Sequence, residues 1–282
     1  MRPGAVARGD ILRPFAKKPM FPIHLKRDLI FARAYYFAFM GGWGFILPFI
    51  NLFYVGLGLS GAQIGTVGSV SSIVGLLVSP IIVSEIKKRP QARGILQGSL
   101  MLGAIGYVLL GQQTVFLAIL VIVFLQSLVG AGIIPASDAM AVHVSEEAGT
   151  GYGSVRVWAS VGWILTVPAS GWLIERFGFQ AGFLGVSLMW LTGALVTLLI
   201  QPRFFVSQRL AGQPTSNLQT ALRRIARDRT LLGYAIALIF MGFLNYGVLQ
   251  FENVFLSELG ASKLLISIAG ILSAIVELPF MV

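Results

Sequence analysis

The stretch YGSVRVWASVGWI, residues 152–164, decides how the rest of the sequence is interpreted. It places an arginine, Arg156, near the start of a long apolar segment. A charge inside a bilayer is costly unless an opposite charge or a polar cavity compensates it. The segment therefore raises two questions: which residue pairs with Arg156, and what the pair does.

The composition is that of an integral membrane protein. Of the 282 residues, 56% are hydrophobic and 11% are charged, and the mean hydropathy is +0.83. A soluble domain carries roughly a quarter charged residues. The sequence contains no cysteine, which excludes disulfides and Cys-ligated metals. The two histidines, His24 and His143, are far apart in the chain, so we expect neither a metal site nor a cofactor.

The net charge of +10 is arranged in a way that argues against nucleic acid as a partner. Seventeen of the 21 Lys and Arg residues fall before residue 28, between 87 and 93, or between 203 and 229. These three segments are separated by pairs of apolar spans, which is the positive-inside pattern of membrane proteins. We predict a cytoplasmic N-terminus, a lipid bilayer as the surroundings and a cytoplasmic (inner) membrane location. The basic N-terminal segment has no apolar core of the signal-peptide type.

The fold class follows from the apolar segments, because a membrane span needs about 20 apolar residues. Eight segments qualify and predict an all-α membrane bundle: 29–55, 62–84, 93–111, 114–142, 152–174, 179–200, 230–257 and from 262 onward. The last span reaches ELPFMV without a charged flank. We therefore expect the sequence to be a fragment of a longer protein.

The polar stretch 201–229 divides the chain into four predicted parts. They are a basic cytoplasmic tail (1–28), a six-helix bundle (29–200), a cytoplasmic central loop (201–229) and the start of a second bundle (230–282). Within the loop, residues 217–229 predict an amphipathic helix on the inner membrane surface. In the first span, the cluster of Gly41, Gly42, Gly44 and Pro48 predicts a kink.

Asp138 is the predicted partner of Arg156. If the fourth span ends near 142 and the fifth begins near 152, each residue lies four positions inside its helix, about 6 Å deep. A short loop between antiparallel helices then brings the two side chains level. An ion pair that only locks this hairpin is the alternative, because buried pairs are common without being functional.

Ser160 and Trp163 extend the candidate site along the fifth span. They follow Arg156 at spacings of four and seven residues, so the three residues share one helix face. A charge, a hydroxyl and an indole on one face suit a ligand with polar groups and a flat apolar side. For Trp163 alone, packing in the core or at the membrane interface is an equal alternative.

Other polar residues inside the predicted spans are stronger or weaker candidates for the site. Glu277 lies fifteen residues into the last span, about 22 Å from its start and so within a core about 30 Å thick. It is a candidate for substrate binding or proton coupling, with a neutral hydrogen-bonded glutamate as the alternative. The weaker candidates are Asn245, Glu252, Arg33 and Tyr36. No phosphate-binding loop or catalytic constellation is present, so we do not expect an enzyme.

These features together resemble the major facilitator superfamily, and within it the branch of lactose, nucleoside and phenylpropionate permeases. The resemblance rests on Tyr152, Gly153, Arg156, Gly162 and Trp163, with Asp138 eighteen residues earlier and Glu277 in the eighth span. It implies twelve helices in two halves, of which this sequence covers the first half and two helices of the second. It also implies that Asp138, Arg156, Trp163 and Glu277 bind the solute.

The loop between the second and third spans departs from the family pattern. The family reads G-x-x-x-D-[RK]-x-G-[RK]-[RK] there, whereas this sequence reads SPIIVSEIKKRPQAR. Glu85, Lys87 and Arg89 are the candidate gating residues, but the glycines are absent, so gating is expected to differ. The family's main proton-coupling groups fall in helices 9 and 10, beyond this sequence.

The predicted function is secondary active transport of a small organic solute, such as a sugar, a nucleoside or an aromatic acid. We expect proton-coupled symport by alternating access, with a monomer as the working unit. Two alternatives use the same intramembrane charges or topology. One is a membrane-embedded protein that acts on lipids, and the other is a non-transporting eight-helix scaffold or sensor derived from a transporter.

Overall fold

The computed structural model describes residues 23–88, 92–205 and 218–281, and every regular element within them is helical. The first half of the chain forms α1 (Ile23–Ile46), a 3-10 turn (Leu47–Phe49), α2 (Ile50–Gly56), α3 (Gly61–Lys88), α4 (Ala92–Gly111), α5 (Phe116–Gly130) and α6 (Ile133–Glu147). The remainder forms α7 (Gly153–Phe177), α8 (Phe179–Leu199), a 3-10 turn (Pro202–Phe205), α9 (Leu218–Arg227), α10 (Arg229–Glu258) and α11 (Lys263–Met281).

Six stretches of the described chain are long and apolar enough to cross a membrane. They are Lys26–Gly56, Gly61–Ile82, Ala92–Gly111, Phe116–Glu147, Gly153–Phe177 and Phe179–Leu199. The helices α10 and α11 contribute the shorter apolar stretches Arg229–Gly242 and Lys263–Val276. The prediction of an all-α membrane bundle is therefore confirmed.

Two of the predicted spans are interrupted. The first is broken by the 3-10 turn that contains Pro48, whose ring cannot continue an α-helical hydrogen-bond pattern. The fourth is two helices, because α5 ends at Gly130 and α6 begins at Ile133. The predicted end of this span at 142 is wrong, since α6 continues to Glu147. Contacts with the second 3-10 turn hold this last stretch: Arg203 lies 2.9 Å from Glu147, and the His143 ring is 3.2 Å from the Phe204 carbonyl.

The predicted helix at 217–229 is also corrected. Residue 217 lies outside the described residues, and α9 ends at Arg227. The chain breaks at Asp228 because this side chain caps the next helix, accepting hydrogen bonds from the Thr230 and Leu231 amides at 2.9 and 3.2 Å.

Glycines set the distance between α1 and α7, the two helices that carry most of the candidate site. A Cβ atom on Gly162 would lie 2.5 Å from the Phe37 carbonyl oxygen, and one on Gly41 would lie 3.1 Å from Thr166. Small residues allow membrane helices to approach until their backbones touch. The first and fifth spans therefore pack at a distance that no larger side chain at Gly162 permits.

Trp190 fills the space between α1, α4 and α8. Its ring lies where Gly42 and Gly103 have no side chains, and its indole N–H donates to the Phe39 carbonyl at 3.2 Å. The ring is also 5.9 Å, centroid to centroid, from both Phe39 and Trp43. This aromatic core fixes the register of α1 against α8.

Polar contacts join the start of α1 to the end of α8. Asp28 is only 1% exposed and accepts hydrogen bonds from the Gln201 backbone amide and side-chain amide at 3.2 and 2.7 Å. Arg27 donates to the Leu199 carbonyl at 3.4 Å. We call this end of the bundle, with Lys26, Arg27 and Arg203, the basic end.

The helices α10 and α11 contact the six-helix bundle near its other end. Asn253 donates to the Pro48 carbonyl at 2.6 Å, and a Cβ on Gly171 would lie 2.8 Å from the Lys263 carbonyl oxygen. A small apolar cluster of Phe49, Leu52, Ile174 and Ile266 lies beside these contacts. We call this end the opposite end.

Gly162→Ala tests the close approach of α1 and α7. We expect a loss of about 1–3 kcal/mol in stability, because the new methyl group forces the two backbones apart. The matched control is Gly65→Ala in α3, where an added Cβ meets nothing within 4 Å. Thermal unfolding in detergent measures both variants, and equal stability of the two would contradict the packing described here.

Candidate functional site

Three polar side chains meet at one carboxylate oxygen. The Oδ1 atom of Asp138 in α6 accepts from the Tyr36 hydroxyl of α1 at 2.7 Å and from the Tyr152 hydroxyl at 2.7 Å. Arg156 of α7 donates to the same oxygen from Nη1 at 3.4 Å and lies 3.4 Å from the Tyr152 hydroxyl. We call Tyr36, Asp138, Tyr152 and Arg156 the carboxylate cluster.

The distances rank the partners of Asp138. Hydroxyl donors at 2.7 Å to an ionised acceptor are short, strong hydrogen bonds, whereas 3.4 Å is long for a charged N–H donor. The tyrosines therefore hold the carboxylate more closely than the arginine does. Burial, and next its hydrogen bond to Asp138, raises the pKa of the Tyr152 phenol, which lies just before the fifth span. Tyr152 is consequently a neutral donor at physiological pH.

The charged members of the cluster are not sealed in. The side chains of Arg156 and Asp138 keep 35% and 39% of their surface exposed. A charge in a membrane bundle faces the protein interior or a water-filled space rather than lipid tails. The exposed part of the two side chains is therefore where a polar solute or a proton can reach the pair.

The predicted contact between Arg156 and Asp138 is present, but the predicted position of four residues inside each helix is wrong. Asp138 lies nine residues before the end of α6, and Arg156 lies three residues after the start of α7. They meet because the chain after α6 turns back along it, with the Thr150 amide donating to the Ser145 carbonyl at 2.9 Å. The start of α7 is thereby carried beside the middle of α6.

A second layer of hydrogen bonds positions α1 beside this cluster. The Tyr35 hydroxyl lies 2.5 Å from the Ser137 hydroxyl, and Ser137 itself donates to the Ile133 carbonyl at 2.6 Å. Arg33 donates from Nε to the Ser154 carbonyl at 3.1 Å. Arg33 therefore joins α1 to the first turn of α7 instead of only reaching toward solvent.

The other candidates lie apart from the cluster or outside the described side chains. Ser160 and Trp163 are half-buried on the face of α7 that carries Arg156, with Trp163 about 10 Å further along the helix. Glu252 is exposed on α10. Arg89 lies outside the described residues, and Glu85, Lys87, Asn245 and Glu277 are in helices where the structure describes the backbone alone.

Sequence reasoning underestimated the tyrosines. Tyr152 belonged to the quoted motif without being chosen as a site residue, Tyr36 was a weak candidate, and Tyr35 was missed. The available signal was the pair Arg33 and Tyr36, three residues apart and so on one face of an otherwise apolar span. No group of three or more His, Asp or Glu residues in the described part of the chain could hold a metal ion.

Comparison with known proteins agrees with the resemblance seen in the sequence. The profile of the MFS_1 like family matches residues 29–282. The chain belongs to this family of the major facilitator superfamily. A maltose permease from Geobacillus stearothermophilus is 27% identical over 274 residues, which cover 94% of this chain and 64% of the permease.

One further relative and one solved structure are also similar to the chain. A probable 3-phenylpropionic acid transporter of Escherichia coli (strain K12) is 29% identical over 175 residues, covering 60% of this chain and 45% of that protein. The crystal structure of the nucleoside transporter NupG (D323A mutant) matches with a TM-score of 0.69 at 20% identity. That match covers 91% of this chain and 66% of NupG and shows a shared fold. The chain thus spans less than two thirds of the length of the curated relatives it matches.

Replacing the tyrosines tests how the carboxylate is held. We expect Tyr36→Phe to cost about 1.5–3 kcal/mol of stability, because it removes a short hydrogen bond to a charged acceptor. Arg156→Gln is expected to cost less, since its contact is longer and partly exposed. Thermal unfolding in detergent gives the ranking, with Tyr234→Phe on an exposed site of α10 as the control. A larger loss for Arg156→Gln than for Tyr36→Phe would contradict this account of the cluster.

Proposed function

We propose that this chain forms the first six-helix half, with the first two helices of the second half, of a secondary transporter for a small organic solute. The carboxylate cluster would bind the solute, couple its movement to protons, or do both. The observation that carries the proposal is the partly exposed Asp138–Arg156 pair, held between three helices of a protein in a family of transporters. The names of the relatives also favour a transporter over a lipid-acting protein or a scaffold.

The Asp138–Arg156 pair is open to its surroundings. A pair that only locks two helices is most rigid when it is buried with all its hydrogen bonds satisfied. Here about a third of each charged side chain remains open. Because charges avoid lipid tails, the open part faces a polar space, which is what a solute or proton needs to reach Asp138.

The register of α11 against α7 gives the level of position 277 along the bundle. Lys263 and Ser267 of α11 both lie against Gly171 of α7, and the two helices start from different ends of the bundle. Position 277 is fourteen residues beyond Lys263 and ten beyond Ser267. Antiparallel packing therefore makes it level with residues 157–161 of α7, one turn from Arg156. This supports a role for Glu277 across the solute path from Arg156.

The residues beyond Arg156 on α7 favour a particular class of solute. Ser160 and Trp163 continue the face of α7 beyond Arg156, so a solute bound at the cluster would meet a hydroxyl and then an indole. A sugar, a nucleoside or an aromatic acid has the polar groups and the flat face for this surface. Asn245 and Glu252 would contribute from α10 only at the edge of such a site.

The contacts between the two parts of the bundle are compatible with alternating access. The contacts of α10 and α11 with Pro48 and Gly171 lie at the opposite end, while the cluster lies nearer the basic end. This arrangement supports rocking of two halves about a site that opens to one side at a time. Glu85, Lys87 and Arg89 would act in the loop that gates the basic end, which we propose to be cytoplasmic in the inner membrane. A monomer would suffice for this cycle.

Removing the arginine tests the site assignment. We expect Arg156→Ala to reduce uptake at least tenfold, because it deletes the cation that faces the solute. The matched control is Arg176→Ala in the last turn of the same helix, where the exposed side chain packs over Trp172 and should leave uptake unchanged. Proteoliposomes containing the protein expressed from its own gene would be assayed with labelled maltose, 3-phenylpropionate and a nucleoside. Equal uptake by the two variants would refute the role of Arg156.

Removing the titratable group tests proton coupling. Asn at position 138 keeps the shape of the side chain but cannot exchange a proton. We expect Asp138→Asn to abolish uptake driven by a pH gradient while keeping solute exchange with no gradient. Ser137→Ala, next in the chain and bonded to Tyr35, is the control that disturbs packing without removing a charge. Gradient-driven accumulation by Asp138→Asn would show that protons are carried elsewhere.

A further inference from the structure

A cavity with a mainly apolar lining and a few polar groups lies away from the carboxylate cluster. It has a volume of about 400 Å³ and opens between the α1–α2 segment, α3, α4, α5 and α8. None of the four cluster residues lines it. Its closest approach along α1 is Trp43, seven residues and about 10 Å beyond Tyr36 toward the opposite end. This volume is within the range of small-molecule sites.

Aromatic rings form one wall of the cavity. Trp43 and Trp190 are 5.9 Å apart between ring centroids, and Tyr107 meets Trp190 edge-on at 5.2 Å. Trp190 is held in place by the glycines on either side of it, so this wall is rigid. Tyr54 adds a fourth ring that is 3% exposed. Because Trp190 and Tyr54 are almost fully buried, the half-buried rings of Trp43 and Tyr107 provide the surface on which a flat ring can stack.

The polar groups of the cavity, which include Asn51, offer both acceptors and donors of hydrogen bonds. Ser71 and Ser127 direct their hydroxyl protons to the carbonyls of Val67 and Val123 in their own helices, at 3.4 and 2.7 Å. Gln126 donates from Nε2 to the Gly103 carbonyl at 3.2 Å. The serine oxygens and the Gln126 carbonyl oxygen therefore remain as acceptors.

The charge of the cavity restricts its ligand. None of the described residues that line it is charged. An anion would lose its hydration and meet no cation in the lining, which is strongly unfavourable in a low dielectric. A neutral ring with hydroxyl groups could pack on Trp43 or Tyr107 and exchange hydrogen bonds with the polar groups.

We propose that this cavity is a binding site for neutral, hydroxylated rings such as sugars and cyclic polyols, separate from the carboxylate cluster, and that it rejects anionic rings. The proposal concerns binding and does not require the chain to transport anything. It would hold if the charged cluster had a purely structural role.

The tryptophans provide a local reporter. Two of the five tryptophans, Trp43 and Trp190, line the cavity. Replacing the other three by phenylalanine (Trp158→Phe, Trp163→Phe, Trp172→Phe) leaves a protein whose indole fluorescence comes from the cavity wall. The reporter protein, expressed from its own gene and purified in detergent, would be titrated with glucose, myo-inositol and glucuronate. We expect a saturable emission change with glucose or myo-inositol and an affinity for glucuronate that is weaker by about tenfold or more.

Gly75→Leu tests the location. Gly75 lines the cavity and an added Cβ there meets nothing within 4 Å, so a leucine would occupy the cavity without displacing its walls. Gly65→Leu is the matched control on the same helix, with the same open surroundings and no place in the lining. We expect the first to weaken sugar binding about tenfold or more and the second to leave it unchanged. If Gly75→Leu fails to fold, Gly130→Leu takes its place. Gly130 also lines the cavity, and an added Cβ there meets nothing within 4 Å.

Three results would overturn the proposal. The first is the absence of a saturable change with both neutral rings. The second is glucuronate binding as tightly as glucose, and the third is equal loss of binding in the cavity variant and the Gly65→Leu control. Loss of transport in Arg156→Ala bears on the proposed function alone, because that residue does not line the cavity.

Discussion

A carboxylate in a membrane protein needs hydrogen-bond donors, and lipid tails offer none. At Asp138 three donors come from two separate parts of the sequence: Tyr36 in the first span, and Tyr152 and Arg156 at the start of the fifth. Each bond therefore fixes the position of one helix against another. The close packing of α1 on α7 at Gly162 and the turn after α6 support the same geometry. Loss of either one would separate the donors from the Asp138 carboxylate.

The proposed role requires the same site to remain reachable. Full burial would make the cluster a rigid joint, whereas the side chains of Arg156 and Asp138 keep 35% and 39% of their surface exposed. The tyrosines, held at shorter distances, keep the carboxylate in place, and the arginine is left with a longer contact that can be exchanged for a ligand. This difference between the tyrosine and arginine contacts is the physical basis for the proposal that the cluster binds a ligand.

Much of this arrangement could be predicted from sequence. The helical spans follow from runs of apolar residues, and the contact between Asp138 and Arg156 follows from two charges beside one short loop. The sequence does not predict how far Asp138 lies from the end of α6. The length of α6 depends on contacts of His143 and Glu147 with a turn that is distant in the sequence. The tyrosine donors were hidden for a related reason, since the reach of Tyr36 depends on how closely two glycine-bearing helices pack. Glu277 and the loop residues Glu85, Lys87 and Arg89 remain predictions from sequence.

The most direct test of the account is whether water reaches the face of α7 beside Arg156. Because the sequence has no cysteine, a single cysteine can be placed there and its reaction with a membrane-impermeant thiol reagent followed in open membrane preparations. The account predicts that Ser160→Cys reacts rapidly, whereas Ser187→Cys, at a position 4% exposed in the bundle core, does not. Equally slow reaction at the two positions would mean that no aqueous path reaches the cluster, and the site would then be a structural joint.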